Sequence, residues 1–359
     1  MRPSPDGPRG AIASRTPARP PSRPVSLPLV MLVSMLVLAA AWTTTPAAAY
    51  APAAAGPAAS LLAAPRTEAA PGISTVRGDL RRSLRAGDAG RRTPRSTTPR
   101  FRGLGADGWG YPDSCGAEKD ATTHRICTFG DPDGDRTVVM LGSSHATMWV
   151  PGLDPAARAA GVRLLGLFKF GCSPIVRRTW VDGEPWPECA AWREWAIDQV
   201  ADLQPDLVVV AGHHYVNIEG RNGQLIPEST RRYDKAFAGG MRTLGRRLLA
   251  SSPDVVLMGD TLARKPSKWP TRCLEANDMR FGACVSRLDK RTRAMNARDR
   301  RAALAVDARF VDPNRLICLD RRCPVVAGGH FVNRDFSHVS RTWSIHVGRS
   351  LAGMLRLDG

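Results

Sequence analysis

The chain has 359 residues, carries 51 Lys and Arg against 33 Asp and Glu for a net charge of +18, and contains eight cysteines. A basic balance of this size would point to nucleic acid in a cytosolic protein, but an even set of cysteines behind an N-terminal apolar run fits an oxidising compartment, where nucleic acid is not a partner. Ala, Arg, Pro and Gly are all abundant, so codon bias is the blander source of the charge, and what survives is an affinity for an anionic envelope surface.

Residues 1–24 are rich in Arg and Pro and have no hydrophobic period. Val25 to Trp42 is uncharged and apolar, and Ala47 to Ala49 supplies the small residues a signal peptidase requires, so residues 1–49 read as a secretory signal or an N-terminal membrane anchor. Residues 50–104 continue in Ala, Pro, Ser and Arg, a composition too poor in apolar surface to offset its ordering entropy, and read as a disordered linker. The remaining 105–359 form one domain. All eight cysteines fall inside it as sequence-local couples, and the expected disulfides join Cys115 with Cys127, Cys172 with Cys189, Cys273 with Cys284 and Cys318 with Cys323. No C-x-x-C and no histidine at finger spacing occur, so no metal site is expected.

Within the domain, short apolar runs at 137–141, 162–168, 206–212, 254–260 and 308–312 read as strands buried on both faces. Amphipathic stretches separate them: one holds Trp192, Trp195, Val200 and Leu203, another Phe237, Met241, Leu244 and Leu248, and a basic helix covers 287–301. Strands alternating with helices specify an α/β fold, a three-layer α/β/α arrangement around a central parallel sheet of five strands. In such sheets ligands bind beyond the carboxyl ends of the strands, in the loops that start here at Gly142, Gly171, Gly212, Asp260 and Asp312.

The first of these loops reads Gly142-Ser143-Ser144-His145-Ala146 and runs into a helix from about Ala146. Ser144 would sit among the unsatisfied amides of a helix start, which suit an oxyanion; the other reading is a serine that only caps the helix. The turn half-matches the G-x-S-x-G elbow, with Ala146 in the last place. A serine nucleophile needs a base, and the base an orienting group. Near the C-terminus Asp335 precedes His338 by three residues at the start of a last helix, so one carboxylate can reach Nδ1 of its own turn while Nε2 faces a neighbouring loop. His213 and His214 adjoin a strand end within reach of the site, or are solvated loop residues; His145 packs under the turn. Trp180 and Trp186, in the loop between Cys172 and Cys189, offer faces that suit a pyranose or pack as a lid. The absence of G-x-G-x-x-G in the first turn counts against a nucleotide-binding domain.

The stretches Val138–Trp149, Phe168–Pro174, Cys189–Trp195, Gln204–Gly212 and Cys323–Ser340, in that order, resemble the SGNH hydrolase superfamily, and within it the SGNH domain found fused to, or working with, membrane acyltransferases that decorate bacterial surface glycans. The resemblance implies Ser144 as nucleophile, His338 as general base and Asp335 as its partner, with no cofactor. It places the amides of Ser144 and Gly171 in the oxyanion hole. Two positions depart from the pattern. Ser143 stands where the family has the Asp of G-D-S-H, and Gly212 is followed by His-His-Tyr-Val-Asn rather than by the asparagine block, which leaves Asn217, His213 or neither as the third donor.

The expectation is an exported serine O-acyltransferase or esterase acting on acyl, foremost acetyl, esters of cell-envelope polysaccharide. As a transferase it would draw its acyl group from a separate membrane acyltransferase. The alternative, favoured by Ser143, is a silent SGNH-like module that binds glycan or organises such a partner.

Overall fold

The computed structural model describes residues 72–213 and 216–359. The signal or anchor expected at 1–49, the first part of the expected linker and His214 lie outside the described residues.

Six strands form the central sheet: β1 (Cys127–Gly130), β2 (Arg136–Gly142), β3 (Val162–Phe168), β4 (Leu207–Ala211), β5 (Val255–Met258) and β6 (Arg309–Val311). They lie in the order β1-β3-β2-β4-β5-β6, with β2 to β6 mutually parallel and β1 antiparallel along the β3 edge. The five expected strands are therefore the parallel ones, and β1 is an addition. Its four residues, Cys-Thr-Phe-Gly, are too short to stand out in the sequence, and Cys127 ties the strand to Cys115. The other three expected disulfides are present as well: Cys172 bonds to Cys189, Cys273 to Cys284 and Cys318 to Cys323. The bond from Cys273 to Cys284 closes a satellite core outside the sandwich, where both cysteines pack with Leu104, Leu274 and Phe331.

Eight α-helices accompany the sheet among the described residues: α1 (Ile73–Asp88), α2 (Ser144–Thr147), α3 (Val150–Ala159), α4 (Pro187–Leu203), α5 (Arg231–Leu249), α6 (Pro270–Ala276), α7 (Lys290–Leu304) and α8 (Arg341–Leu355). Strand alternation sorts them into layers. Val138 and Met140 of β2 face a core shared with Leu153 of α3 and Val347 and Leu351 of α8. Val139 and Leu141 face the other core, with Trp192 of α4, Phe237 and Leu244 of α5 and Ala302 of α7. This is the expected α/β/α sandwich, its parallel strands hydrophobic on both sides because helices cover both. None of the described helices is long and apolar enough to cross a membrane.

The linker expected at 50–104 is corrected over its second half. Residues 73–88 form α1, whose Val76 and Leu80 are fully buried and whose Leu84 is 6% exposed, and Asp79 receives a bond from His346 Nε2 of α8 at 3.0 Å. Arginines at 77, 81, 82 and 85 masked an apolar face at helical spacing, and the neighbouring Pro and Ala lowered the mean of any window.

The chain order of the sheet reverses beside β2, since β3 lies on one flank and β4 on the other. Ligands gather at such a point, beyond the carboxyl ends of the flanking strands. Gly142 closes β2 here because only glycine fits: a Cβ would come within 1.6 Å of the Ala211 carbonyl oxygen at the end of β4.

Candidate active site

Ser144 begins α2 directly after β2, and the turn is held by its neighbour. Ser143 is fully buried, and its Oγ accepts from the His145 amide at 3.3 Å and from the His213 amide at 3.0 Å, while its own amide donates to Ala211 O. One hydroxyl thus joins the loops after β2 and β4 and leaves the Ser144 side chain half exposed above them. Asp335 and His338 arrive from the far end of the chain, in the loop before α8; the helix itself starts later than expected, at Arg341, capped by Ser340 Oγ.

Ser144 Oγ lies 3.0 Å from His338 Nε2, and His338 Nδ1 lies 2.8 Å from Asp335 Oδ2. Asp335 Oδ1 accepts from the amides of Ser337 at 2.9 Å and His338 at 2.8 Å, which fixes the carboxylate's rotation. Burial pushes the Asp335 carboxyl up, but the hydrogen bond and charge of His338 and the two amides outweigh it and hold the group at about 2. The carboxylate is therefore ionised at neutral pH. It accepts a hydrogen bond from Nδ1–H, and Nε2 is left to accept one from the Ser144 hydroxyl. Ser144 and His338 line a cleft of about 160 Å³ with Trp109, Met148, Phe170 and Arg334. Among the described residues, the amides of Ser144 and Gly171 donate to no protein acceptor. Gly171 follows Phe170 at φ +74°.

A family model described as the SGNH domain fused to AT3 domains matches residues 114–353. The chain belongs to this SGNH family. No curated protein matches it in sequence. Among solved structures, the SGNH chain is similar to the periplasmic domain of a lipopolysaccharide acetyltransferase from Salmonella ser. Paratyphi A, at 13% identity over 62% of this chain and 84% of that one, with a TM-score of 0.47. It is also similar to a catalytic mutant of an acetylxylan esterase from Geobacillus stearothermophilus, at 12% identity over 62% and 94% with a TM-score of 0.35. A GDSL-like lipase from Bacteroides thetaiotaomicron matches at 15% identity over 62% and 88%, with a TM-score of 0.36. These are loose likenesses.

Under the SGNH turn lies a second carboxylate-histidine pair that the sequence reading missed. His145, 4% exposed, places Nδ1 2.5 Å from Asp260 Oδ1, and Asp260 also accepts the Thr261 amide at 2.7 Å. His213 Nδ1 stands 3.3 Å from Asp260 Oδ2, and the His145 ring lies 5.0 Å from that of His338. The signal was present: Asp260 ends a buried strand at the ligand end of the sheet, where an unneeded carboxylate would be costly. Burial pushes the His145 imidazole down, against the pull of Asp260. His145, His213 and Asp260 are a group whose ligand atoms lie within 4.8 Å of one another. Two ligand atoms on a tetrahedral metal ion are about 3.3 Å apart, so the 2.5 Å contact between His145 and Asp260 is a hydrogen bond rather than a ligand pair.

The other expected substrate residues lie apart from the Ser144 cleft. Trp186 is 6% exposed, bonded through Nε1 to Lys119 O, and packs in the α4 core against Gly171. Trp180 pairs with Asn217 in a small three-stranded sheet of Thr179–Val181, Glu184–Pro185 and Asn217–Ile218, and its Nε1 donates to Glu219 Oε2. Asn217 is exposed there and does not line the cleft, so the expectation of Asn217 as oxyanion donor is corrected: its strand position pairs it with Trp180 in this small sheet. The aromatic rings at the cleft are Trp109 and Phe170 instead, and Trp109 Nε1 is a buried donor with no protein partner. Trp109 sits in a Gly-rich stretch just past the expected linker, which hid it. His213 lines a different, larger cleft beside Phe336.

Proposed function

We propose that the chain is a serine acyl-transfer enzyme of the SGNH type, acting on acyl esters of cell-envelope polysaccharide. The observation that carries this is the relay of 3.0 Å and 2.8 Å from Ser144 through His338 to an ionised Asp335. His338 Nε2 takes the Ser144 proton as Oγ attacks the ester carbonyl, and the amides of Ser144 and Gly171 receive the oxyanion. Collapse expels the leaving group, the sugar oxygen in an esterase or the donor's acyl-carrying group in a transferase, which takes the proton from His338, and leaves acyl-Ser144. His338 then deprotonates the acceptor, water in an esterase or a sugar hydroxyl in a transferase, and the acyl group leaves the serine. A cleft of about 160 Å³ suits a short acyl group such as acetyl. Four disulfides support an extracytoplasmic location. A transferase would take its acyl group from a separate membrane acyltransferase.

Ser143 in place of the family's acid favours the second reading, a silent glycan-binding module. In its support of the turn, however, the hydroxyl already serves two amides. Labelling by a serine-directed fluorophosphonate decides between them. The enzyme reading requires labelling of the wild type that vanishes in Ser144→Ala, and a well-folded wild type that stays unlabelled would leave the module. Release of acetate from acetylated glycan, with and without added sugar acceptor, then separates esterase from transferase.

A further inference from the structure

Beside the catalytic loops runs a basic cleft that the relay does not use. Two cavities, of about 400 and 660 Å³, share Ala263, Arg264, Lys265, Asp289 and Lys290 and so form one trough. One end is bounded by His213 and Phe336. Phe336 follows Asp335 in the chain, and His213 binds Ser143 next to the nucleophile, so the trough ends at the loops that carry Ser144 and His338.

Its walls carry Lys265, Lys268, Arg287, Lys290, Arg293 and Arg321, none of which forms an ion pair among the described residues. The only carboxylate on them, Asp289, is taken up as the cap of α7, accepting from Thr292 N at 2.8 Å and Thr292 Oγ1 at 3.0 Å. The N-terminal end of α7, at Asp289 and Lys290, borders the same space. The floor is more telling. Arg264 is 3% exposed, and its guanidinium donates only to neutral acceptors: Asn333 Oδ1, Ser286 Oγ and the carbonyls of Cys323 and Pro324. Burial alone pushes it down to about 9, so it remains a cation at neutral pH with no counter-charge among the described residues. A buried charge satisfied by hydrogen bonds but not neutralised adds to the positive field of the cleft it lines.

We propose that this trough binds the anionic groups, carboxylate or phosphate, of an acidic polysaccharide whose chain leads past Phe336 to Ser144. The assignment rests on the serine acyl-transfer reading and names the class of glycan. Phe336 is 41% exposed and stands 5.6 Å from the Trp269 ring at a tilt of 33°, an aromatic surface for the C–H face of a pyranose at the end where the reaction occurs. A polymer is favoured over a membrane surface because the site is concave, and of the large hydrophobic side chains exposed in the described residues only Phe336 borders it.

The test measures binding by full-length Ser144→Ala protein, so that no turnover is needed. Affinity electrophoresis is run in gels containing polygalacturonate, yeast phosphomannan or neutral dextran, and anionic phosphatidylglycerol vesicles are tested by co-sedimentation. Retardation by at least one acidic glycan but not by dextran is expected, weakening as salt is raised. Adding Lys290→Glu and Arg293→Glu should raise the dissociation constant at least tenfold. The charge-matched pair Arg125→Glu and Arg158→Glu, beside β1 at the opposite sheet edge, should change it less than threefold. Which acidic glycan is retarded assigns carboxylate or phosphate. Equal losses in both double variants, no retardation by either acidic glycan, or vesicle binding that alone responds to Lys290 and Arg293 would each overturn the proposal. Fluorophosphonate labelling of the wild type is scored separately, so a failed track and a failed nucleophile give different results.

Discussion

Replacing Asp335 by asparagine tests the relay with the least disturbance. The substituted side chain retains Oδ1, and the amides of Ser337 and His338 pin that oxygen in place, because turning the side chain over would set an amide N–H₂ against two N–H donors. Its nitrogen must therefore occupy the Oδ2 position, 2.8 Å from His338 Nδ1. It donates where the carboxylate accepted, which moves the imidazole proton to Nε2 and faces Ser144 Oγ with a donor instead of a base. The same tautomer error at a serine triad costs about 10⁴ in kcat, and a loss of that order is expected here.

The cost in stability is far smaller. Holding the carboxyl at about 2 against its ordinary 3.8 corresponds to about 2.4 kcal/mol of preference for the charged form. The side chain is 36% exposed, so screening leaves roughly 1 kcal/mol. Because the folded value is depressed, this contribution is present above about pH 4 and is lost as the pH falls through about 2. Asp335→Asn should thus lower the melting temperature at pH 7 by only about 2–4 °C while hydrolysis of a small aryl acetate nearly disappears. Activity within tenfold of wild type in a folded Asp335→Asn protein would refute the relay.

Ser143→Ala leaves two amides of the turn without their acceptor and should cost about 2–3 kcal/mol, read by calorimetry as a fall of roughly 5–9 °C; an unchanged midpoint would show that the hydroxyl does not hold the loops together. Burial pushes His145, His124 and His330 below the ordinary histidine value of about 6.5, so the stability they permit is complete above that value and declines as the pH falls. The melting temperature should therefore drop between pH 7 and pH 5, and His145→Asn, which keeps a donor for Asp260, should flatten the slope; a flat wild-type profile would contradict this. A protein beginning at residue 91 lacks Val76, Leu80 and Leu84 of α1, whose burial contributes up to about 5–9 kcal/mol, and should unfold at a clearly lower urea midpoint than one beginning at residue 72, whereas equal midpoints would mean that α1 adds nothing to the fold.

The parallel strands were legible because burial on both faces writes itself as an unbroken apolar run, as in Val138–Leu141 and Val208–Val210. The disulfides were legible because each closes a short loop, none longer than the 17-residue separation of Cys172 and Cys189. Ser144, Asp335 and His338 could be proposed because the turn after the first parallel strand and the D-x-x-H before the last helix follow in the order that the SGNH resemblance implies. What failed depended on side-chain direction. Trp186 and Asn217 belong to the right loops, but one indole turns into the α4 core and the other residue pairs outward with Trp180. No period in the sequence records such a choice. Helix α1 failed for a different reason, since four arginines lie among its apolar positions and the window mean conceals an alternation that the helix resolves.

Asp260 shows how the two outcomes are connected. Its carboxylate is 1% exposed, and it holds His145, the residue after Ser144, while standing 3.3 Å from His213, whose amide bonds to Ser143. The loops after β2, β4 and β5 are thereby joined beneath Ser144 through one carboxylate and one hydroxyl. A buried acid recruited by two histidines can supply rigidity that an acid at position 143 would supply from within the turn. Ser143 then need only accept two amide protons. On this account the departure at position 143 is compatible with a working nucleophile only while Asp260 is in place, so Asp260→Asn should weaken labelling of Ser144 more in this chain than in a Ser143→Asp background. Equal losses in the two backgrounds would show that the carboxylate and the turn act independently.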